Sequence, residues 1–329
     1  MQGALHMKRI AFVVPYFGKL PKGFQFWLHS CSMNPTIDWL FFTDDKTEYL
    51  YSENVKVTYC KFKDIQDRVH ALYGTDAVLL RPYKLCDYKP AYGEIFSKEL
   101  QEYDFWGHCD IDLAWGNIRK FMTDDLLNQY DKIGNQGHCT LYRNTPEVNS
   151  RVRACFEGLV SYKDAFYQDK GFAFDEPPME EIYKALNIPY YMETNYIHLV
   201  KYDYGFFLGH KPEEEAYKNK HQIFVLKDGT LLRYYLDDLE IKTEEYMYIH
   251  FWCRPISYNE KQYCKGKQYF MYPEVVTDRE YKITAKLIKK KGSHNPVRFY
   301  IKSIWFNRKK ITLKRILFNI KGRMKYSKK

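Results

Sequence analysis

No apolar run in the 329 residues approaches the roughly 18 that a membrane-spanning helix needs. No secretory signal is read at the start, where Met1–His6 resembles an expression scar and Met7 the native start. The eight cysteines, at 31, 60, 86, 109, 139, 155, 253 and 264, contain no C-x-x-C pair. Neither a disulfide framework nor a zinc site is therefore expected, and buried free thiols in a reducing cytosol are. No G-x-G-x-x-G or G-x-x-x-x-G-K-[ST] follows the first apolar segment, which argues against dinucleotide-binding and P-loop folds. Acid is nearly absent at the end: from Arg279 onward there are 18 Lys or Arg and one acid, Glu280. That leaves 33 bases and 40 acids before it, a mildly acidic body with a strongly basic appendage.

Apolar and aromatic residues are plentiful. With 45% hydrophobic and 18% aromatic residues, including 31 Tyr and 22 Phe, the chain buries a sizeable core and is not disordered. Residues 7–278 read as one catalytic-sized domain and 279–329 as a basic amphipathic tail.

The chain is organised around Tyr103–Asn117, YDFWGHCDIDLAWGN. A buried strand, Phe105–Cys109, delivers Asp110 and Asp112 to its C-terminal edge, where α/β sheets place ligands. Period-two geometry turns both carboxylates to one side and Ile111 to the core. Adjacent carboxylates stay ionised when a cation sits between them, and hard oxygens favour Mg²⁺ or Mn²⁺, which also hold a diphosphate. A D-x-D triplet arises about once by chance in a chain this long, so its context carries the weight.

That context begins with strands at Arg9–Gly18, Trp39–Asp45 and Asn54–Cys60, separated by helices at Lys22–Ser30 and Phe62–Tyr73. Such alternation implies a parallel sheet with crossover helices. Tyr83–Phe96 reads as a helix broken at Pro90, bringing Lys84, Asp87 and Lys89 together. It is a solvated face or, if aimed at the aspartates, a place for phosphate and a sugar hydroxyl. Short helices follow at Asn117–Met122 and Thr123–Gln129, then a glycine-bearing loop from Ile133 running into a strand that ends near Asn144, then a helix from Pro146 to Gly158. His138 is a core histidine or part of a ligand loop, with Gly137 allowing close backbone approach.

Asp175 and Glu176 end an aromatic strand, Phe172–Phe174, where they either favour the dipole of the next helix or supply a general base. On a strand they point oppositely, so only one is catalytic. A hairpin is read at Lys227–Thr230 and one buried strand over Glu245–Trp252. His250 on that strand is a structural residue, or a third metal ligand beside the two carboxylates. In the tail, Ile301, Ile304 and Trp305, then Leu313, Ile316, Leu317 and Ile320, form apolar stripes among lysines and arginines. That pattern suits an anionic membrane surface, and with no nucleic-acid motif beside it no nucleic-acid partner is expected.

Five motifs in order, YKLCDYKPAYGEIF, YDFWGHCDIDLAWGNI, GHCTLYRN, AFDE and YIHFWCRP, resemble a bacterial family of capsule and O-antigen sugar transferases with a GT-A fold, often known only as a domain of unknown function. The similarity spans Lys8 to Pro255. It implies an α/β, GT-A-like mixed sheet flanked by helices, with the basic helical appendage outside it. It further implies that Asp110 and Asp112 hold Mn²⁺ or Mg²⁺ against the diphosphate of a UDP-sugar, with His250 as the C-terminal metal ligand. Pro15, Tyr16, Phe17 and Asp44 would line the uracil and ribose pocket, and Lys84 and Asp87 the phosphate or donor sugar. Gly137 and His138 would face the acceptor, and Asp175 or Glu176 would be the base of an inverting transfer. The expected reaction moves a hexose, galactose first, to an undecaprenyl-diphosphate-linked oligosaccharide at the inner face of the cell membrane. A metal-dependent phosphotransferase or nuclease is the alternative enzyme, and it predicts more clustered carboxylates for two metals. A non-catalytic binding module is the alternative outside enzymes.

Overall fold

A computed structural model describes residues 7–199, 206–211, 221–238, 240–252, 256–258, 266–272, 275–279, 281–292 and 301. The first apolar segments become β1 (Ile10–Tyr16), β2 (Ile37–Thr43) and β3 (Val55–Tyr59), with helices Phe24–Ser32 and Phe62–Tyr73 between and after them. Next come β4 (Phe105–Cys109), β5 (Leu113–Trp115), β6 (Lys132–Gln136), β7 (Cys139–Arg143), β8 (Tyr196–Leu199) and β9 (Phe206–Leu208). The remainder is β10 (Gln222–Lys227), β11 (Thr230–Asp237), β12 (Glu240–Tyr246), β13 (Tyr248–His250), β14 (Ser257–Tyr258), β15 (Gln268–Tyr272) and β16 (Val275–Thr277).

The first sheet has the order β3-β2-β1-β4-β7-β6, parallel from β3 to β4 and antiparallel at β7 and β6. Its two faces are read directly from β1, whose residues alternate between two cores. Ala11 and Val13 join Ile65, Val69 and Tyr73 of helix Phe62–Tyr73, while Ile10, Phe12 and Val14 join Phe24, Trp27 and Cys31 of helix Phe24–Ser32. A sheet with both faces buried and helices covering them needs near-continuous apolar strands, and IAFVV and WLFF supply them. This is the α/β class and the helix-flanked mixed sheet that the sequence implies.

A second sheet, β5-β13-β8-β9, runs directly from the carboxylate segment, because β5 follows Asp112 after no intervening residue. A third, β12-β11-β10-β15-β16-β14, is mainly antiparallel. Its β10–β11 turn is the expected hairpin, with Asp228 at φ 47° and Gly229 at φ 78°, as a two-residue turn requires.

Several expectations are corrected. The run Glu245–Trp252 is not one strand: it divides at Met247, leaving Tyr246 in the third sheet and Tyr248–His250 in the second. The segment from Ile133 is not a loop. It is β6, kinked by a bulge at Gly134 (φ 85°), and Gly137-His138 is the turn of a β6–β7 hairpin. Phe172–Phe174 is not a strand, because Ala173 sits at φ 49° and the amides of Phe172 and Phe174 both donate to the Asp87 carboxylate. The helix opened by Pro146 stops at Ser150, continues as a single tight turn to Arg153, and becomes extended at Ala154.

The basic segment is not separate at its beginning. Helix Ala285–Gly292 lays Ile288 into a cluster with Ile223, Val225, Phe270 and Tyr272 of the third sheet. A boundary at 278 therefore cuts through packed structure. The stripes at Ile304, Trp305, Leu313, Ile316, Leu317 and Ile320 lie outside the described residues. Among the described residues no helix is long and apolar enough to cross a membrane.

Candidate functional site

The chain reverses its direction of strand addition between β1 and β4, so the crevice beyond their carboxyl ends is a topological switch point. Asp110 leaves β4 there. Its amide donates to the His138 carbonyl at 3.1 Å, which ties the β6–β7 turn to the strand end. The Phe251 amide donates to the Asp112 carbonyl at 2.8 Å, and β13 pairs His250 with Leu113 on one side and His198 of β8 on the other. Backbone pairing thus delivers residues far apart in sequence to one corner.

In that corner His250 Nε2 lies 3.3 Å from Asp112 Oδ1 and 3.8 Å from Asp110 Oδ2. Asp110, Asp112 and His250 each offer a ligand atom within 4.8 Å of the others, a group able to hold a metal ion. Ile111 is buried between the two half-exposed aspartates, as the period-two reading expects. Two carboxylate oxygens and one imidazole suit Mg²⁺ or Mn²⁺, the nitrogen weighting the set toward Mn²⁺.

Behind the carboxylates stands a lysine. Lys89 Nζ donates to Asp110 Oδ1 at 2.8 Å and to the Gly137 carbonyl at 2.6 Å, and lies 3.4 Å from Asp175 Oδ2. Burial works against its charge, but Asp110 and Asp175 outweigh that and hold its pKa well above the usual lysine value. Burial pushes the Asp175 carboxyl up to about 6; Lys89 pulls it down, and Glu176 and Asp110 add to the rise. A Cβ on Gly137 would stand 2.6 Å from Asp175 Oδ2 and 2.7 Å from Glu176 Oε1. Both carboxylates therefore face the same turn, contrary to the expectation that they point oppositely, because the segment carrying them is a turn and not a strand.

Two more histidines converge. His198 Nδ1 is 3.0 Å from His250 Nδ1, and the His138 ring centroid is 4.4 Å from that of His250. His138 Nδ1 meets the Tyr248 hydroxyl at 3.0 Å, while its buried Nε2 has no hydrogen-bond partner. Burial first, then His250 and His198, hold His138 well below the usual histidine range, and burial with His250 lowers His198 to about 3. Both rings are neutral at physiological pH.

The remaining expected residues divide. Pro15 and Tyr16 are the last two residues of β1, beside the switch point. Phe17 is turned into the core against Phe62, with ring centroids 5.4 Å apart. Asp44 accepts the Gly18 amide at 2.7 Å and so shapes the loop after β1. Lys84 and Asp87 form a buried ion pair at 2.8 Å, and their other bonds go to the Lys170 carbonyl and the amides of Phe172 and Phe174. They hold the Asp175 segment in place rather than facing the carboxylate corner. The sequence groups Lys89 with Lys84 and Asp87 and offers it to phosphate, whereas the structure sets it between Asp110 and Asp175; His198 and Tyr248 carry no role in the sequence reading. Lys89 was legible as a lysine beside the proline break, whereas nothing in the sequence marks the β8–β13 register that brings His198 to His250.

No curated protein matches the chain. Among solved structures, it is similar to mouse xyloside xylosyltransferase 1 in its apo form, at 12% identity and a TM-score of 0.34, over 59% of this chain and 88% of that one. The sequence matches the family described as "Family of unknown function (DUF6625)" over residues 12–280, and the chain belongs to that family.

Proposed function

We propose that the protein is a metal-dependent glycosyltransferase that moves a hexose, galactose first among candidates, from a UDP-sugar to a lipid-linked oligosaccharide in bacterial surface polysaccharide synthesis. The observation that carries the reading is the corner itself: Asp110, Asp112 and His250 within 4.8 Å of one another, beside a buried carboxylate, Asp175, whose pKa is about 6. Those three residues would hold Mn²⁺ or Mg²⁺, which when bound neutralises the departing nucleoside diphosphate.

The chain's own residues do the rest. Asp175, ionised above pH about 6, accepts the proton of the acceptor hydroxyl as that oxygen attacks the anomeric carbon, which inverts it. Lys89 keeps Asp175 and Asp110 from repelling one another by standing between them. Pro15 and Tyr16 border the nucleotide end of the crevice. Gly137 and His138 border the acceptor end, and the basic segment beyond Arg279 brings the enzyme to the anionic inner face of the cell membrane.

The deciding experiment is calorimetric titration of UDP with and without Mn²⁺, on wild type and on Asp110→Asn/Asp112→Asn. Mn²⁺-dependent binding that disappears in the double variant is the expected result, and absence of UDP binding under any metal would sink the UDP assignment. Gly137→Ala is expected to displace the Asp175 carboxylate. A misplacement of about 1 Å costs roughly 10²-fold in rate, so kcat should fall by that order while the melting temperature changes little.

A further inference from the structure

The geometry points to a second metal site on His138, His198 and His250, which takes a borderline transition ion such as Zn²⁺ and competes with the hard cation for His250. The three residues offer ligand atoms within 4.8 Å of one another, independently of the aspartates. His198 Nδ1 and His250 Nδ1 are already 3.0 Å apart, close to the about 3.3 Å that two nitrogens span on a tetrahedral Zn²⁺ with bonds of ~2.0–2.1 Å. His138 is 5% exposed, and its Nε2 is buried without a partner. A buried polar atom left unsatisfied costs stability, and a metal ion would satisfy it. With Nε2 on the ion, the ring proton rests on Nδ1 and is donated to the Tyr248 hydroxyl 3.0 Å away, the outer hydrogen bond that orients ligating imidazoles. Trp252, 43% exposed, lies with its ring 4.8 Å from that of His198 and leaves the site within reach of solvent. The expectation that zinc is absent rested on cysteine spacing, and these imidazoles come from a turn and two strands.

Competition follows from the chemistry of one ring. A neutral imidazole has a single lone pair. When His250 Nε2 serves the aspartate site, its proton sits on Nδ1 and is donated to His198. When an ion takes His250 Nδ1, the proton moves to Nε2, which then faces Asp112 at 3.3 Å and is no longer a ligand. The two sites therefore fill one at a time, and Zn²⁺ displaces the hard cation. Only this competition rests on the proposed function; Zn²⁺ binding does not.

The test uses full-length protein and metal ions alone. Co²⁺, as a spectroscopic stand-in for Zn²⁺, should give the intense visible absorption of tetrahedral coordination. Zn²⁺ added to protein loaded with Mn²⁺ should release one Mn²⁺ per Zn²⁺ bound, read by electron paramagnetic resonance. His138→Gln and His198→Gln each remove a ligand and should weaken Zn²⁺ binding by at least about 100-fold, the upper end of what losing a mere outer-shell partner costs, and retain Mn²⁺ binding, which also reports that they fold. Asp112→Asn should do the reverse. No Zn²⁺ binding to wild type, a Co²⁺ spectrum lost in Asp112→Asn, or Zn²⁺ and Mn²⁺ bound together would overturn the proposal. If wild type binds Zn²⁺ but neither Mn²⁺ nor Mg²⁺, the aspartate site fails while the histidine site stands.

Discussion

Asp175→Asn is expected to slow sugar transfer by roughly 10²–10⁴-fold, the usual contribution of a positioned general base, without unfolding the protein. The side chain keeps its shape, and Lys89 retains Asp110 and the Gly137 carbonyl as partners. UDP and Mn²⁺ affinity should change little, so the loss should appear in kcat. In wild type the rate should fall as pH drops through about 6, where Asp175 takes up its proton. The acid limb should be missing from the residual activity of the variant. A pH–rate profile on both proteins checks this, and an acid limb that persists at the same pH in Asp175→Asn would assign the titration to another group.

The stability of the same carboxyl runs the opposite way. Its folded pKa, about 6, is raised above the ordinary value of 3.8, so its favourable contribution is complete below the unfolded value and is lost as pH rises through the folded one. At neutral pH the fold carries a buried charge it would rather not have. A poised base requires such a raised pKa, and the proposed role of Asp175 rests on it together with its place beside Lys89 and Gly137.

How far the sequence reveals this site can be judged from particular residues. The strands β1 to β4 and helix Phe62–Tyr73 are legible because each satisfies a local rule, an apolar run, a period-two alternation as in VKVTY of β3, or a helical period, that packing then uses unchanged. Asp110 and Asp112 are legible for the same reason, since a strand end fixes which way they point. Phe172–Phe174 misleads because its aromatic run suggests a strand, yet the Phe172 amide bonds to the side chain of Asp87, 85 residues earlier. The division at Met247 is hidden because no glycine or proline marks it. The chain passes between sheets there because Met247 pairs through its own amide with Asn195 and through its carbonyl with Gly116. His198 meets His250 solely through the parallel register of β8 and β13. Local pattern records an element; partner choice and register are decided by the whole fold.

Lys89→Met is expected to be the most destabilising single change in the site, because it removes the cation and leaves its acids in place. Breaking a buried ion pair from one side costs about 3–5 kcal/mol. Here the cost falls mainly on Asp175, whose side chain is 5% exposed, and less on Asp110 at 35%. Lys89 lowers the Asp175 pKa, so its loss raises that pKa further. The protonated form is then the stable one over a wider range, and the deficit against wild type should shrink as pH falls from 7.5 to 5.5. Urea denaturation at the two pH values measures it, and an equal deficit at both would mean that packing of the lysine stem, not its charge, is what the fold uses. Binding should move in the other direction. With no ammonium 2.8 Å from Asp110, the carboxylate corner becomes more negative, and the folded variant should hold Mn²⁺ more tightly than wild type while transferring sugar more slowly. That pairing of tighter metal with slower transfer separates a lysine that tunes the two acids from one that merely fills space.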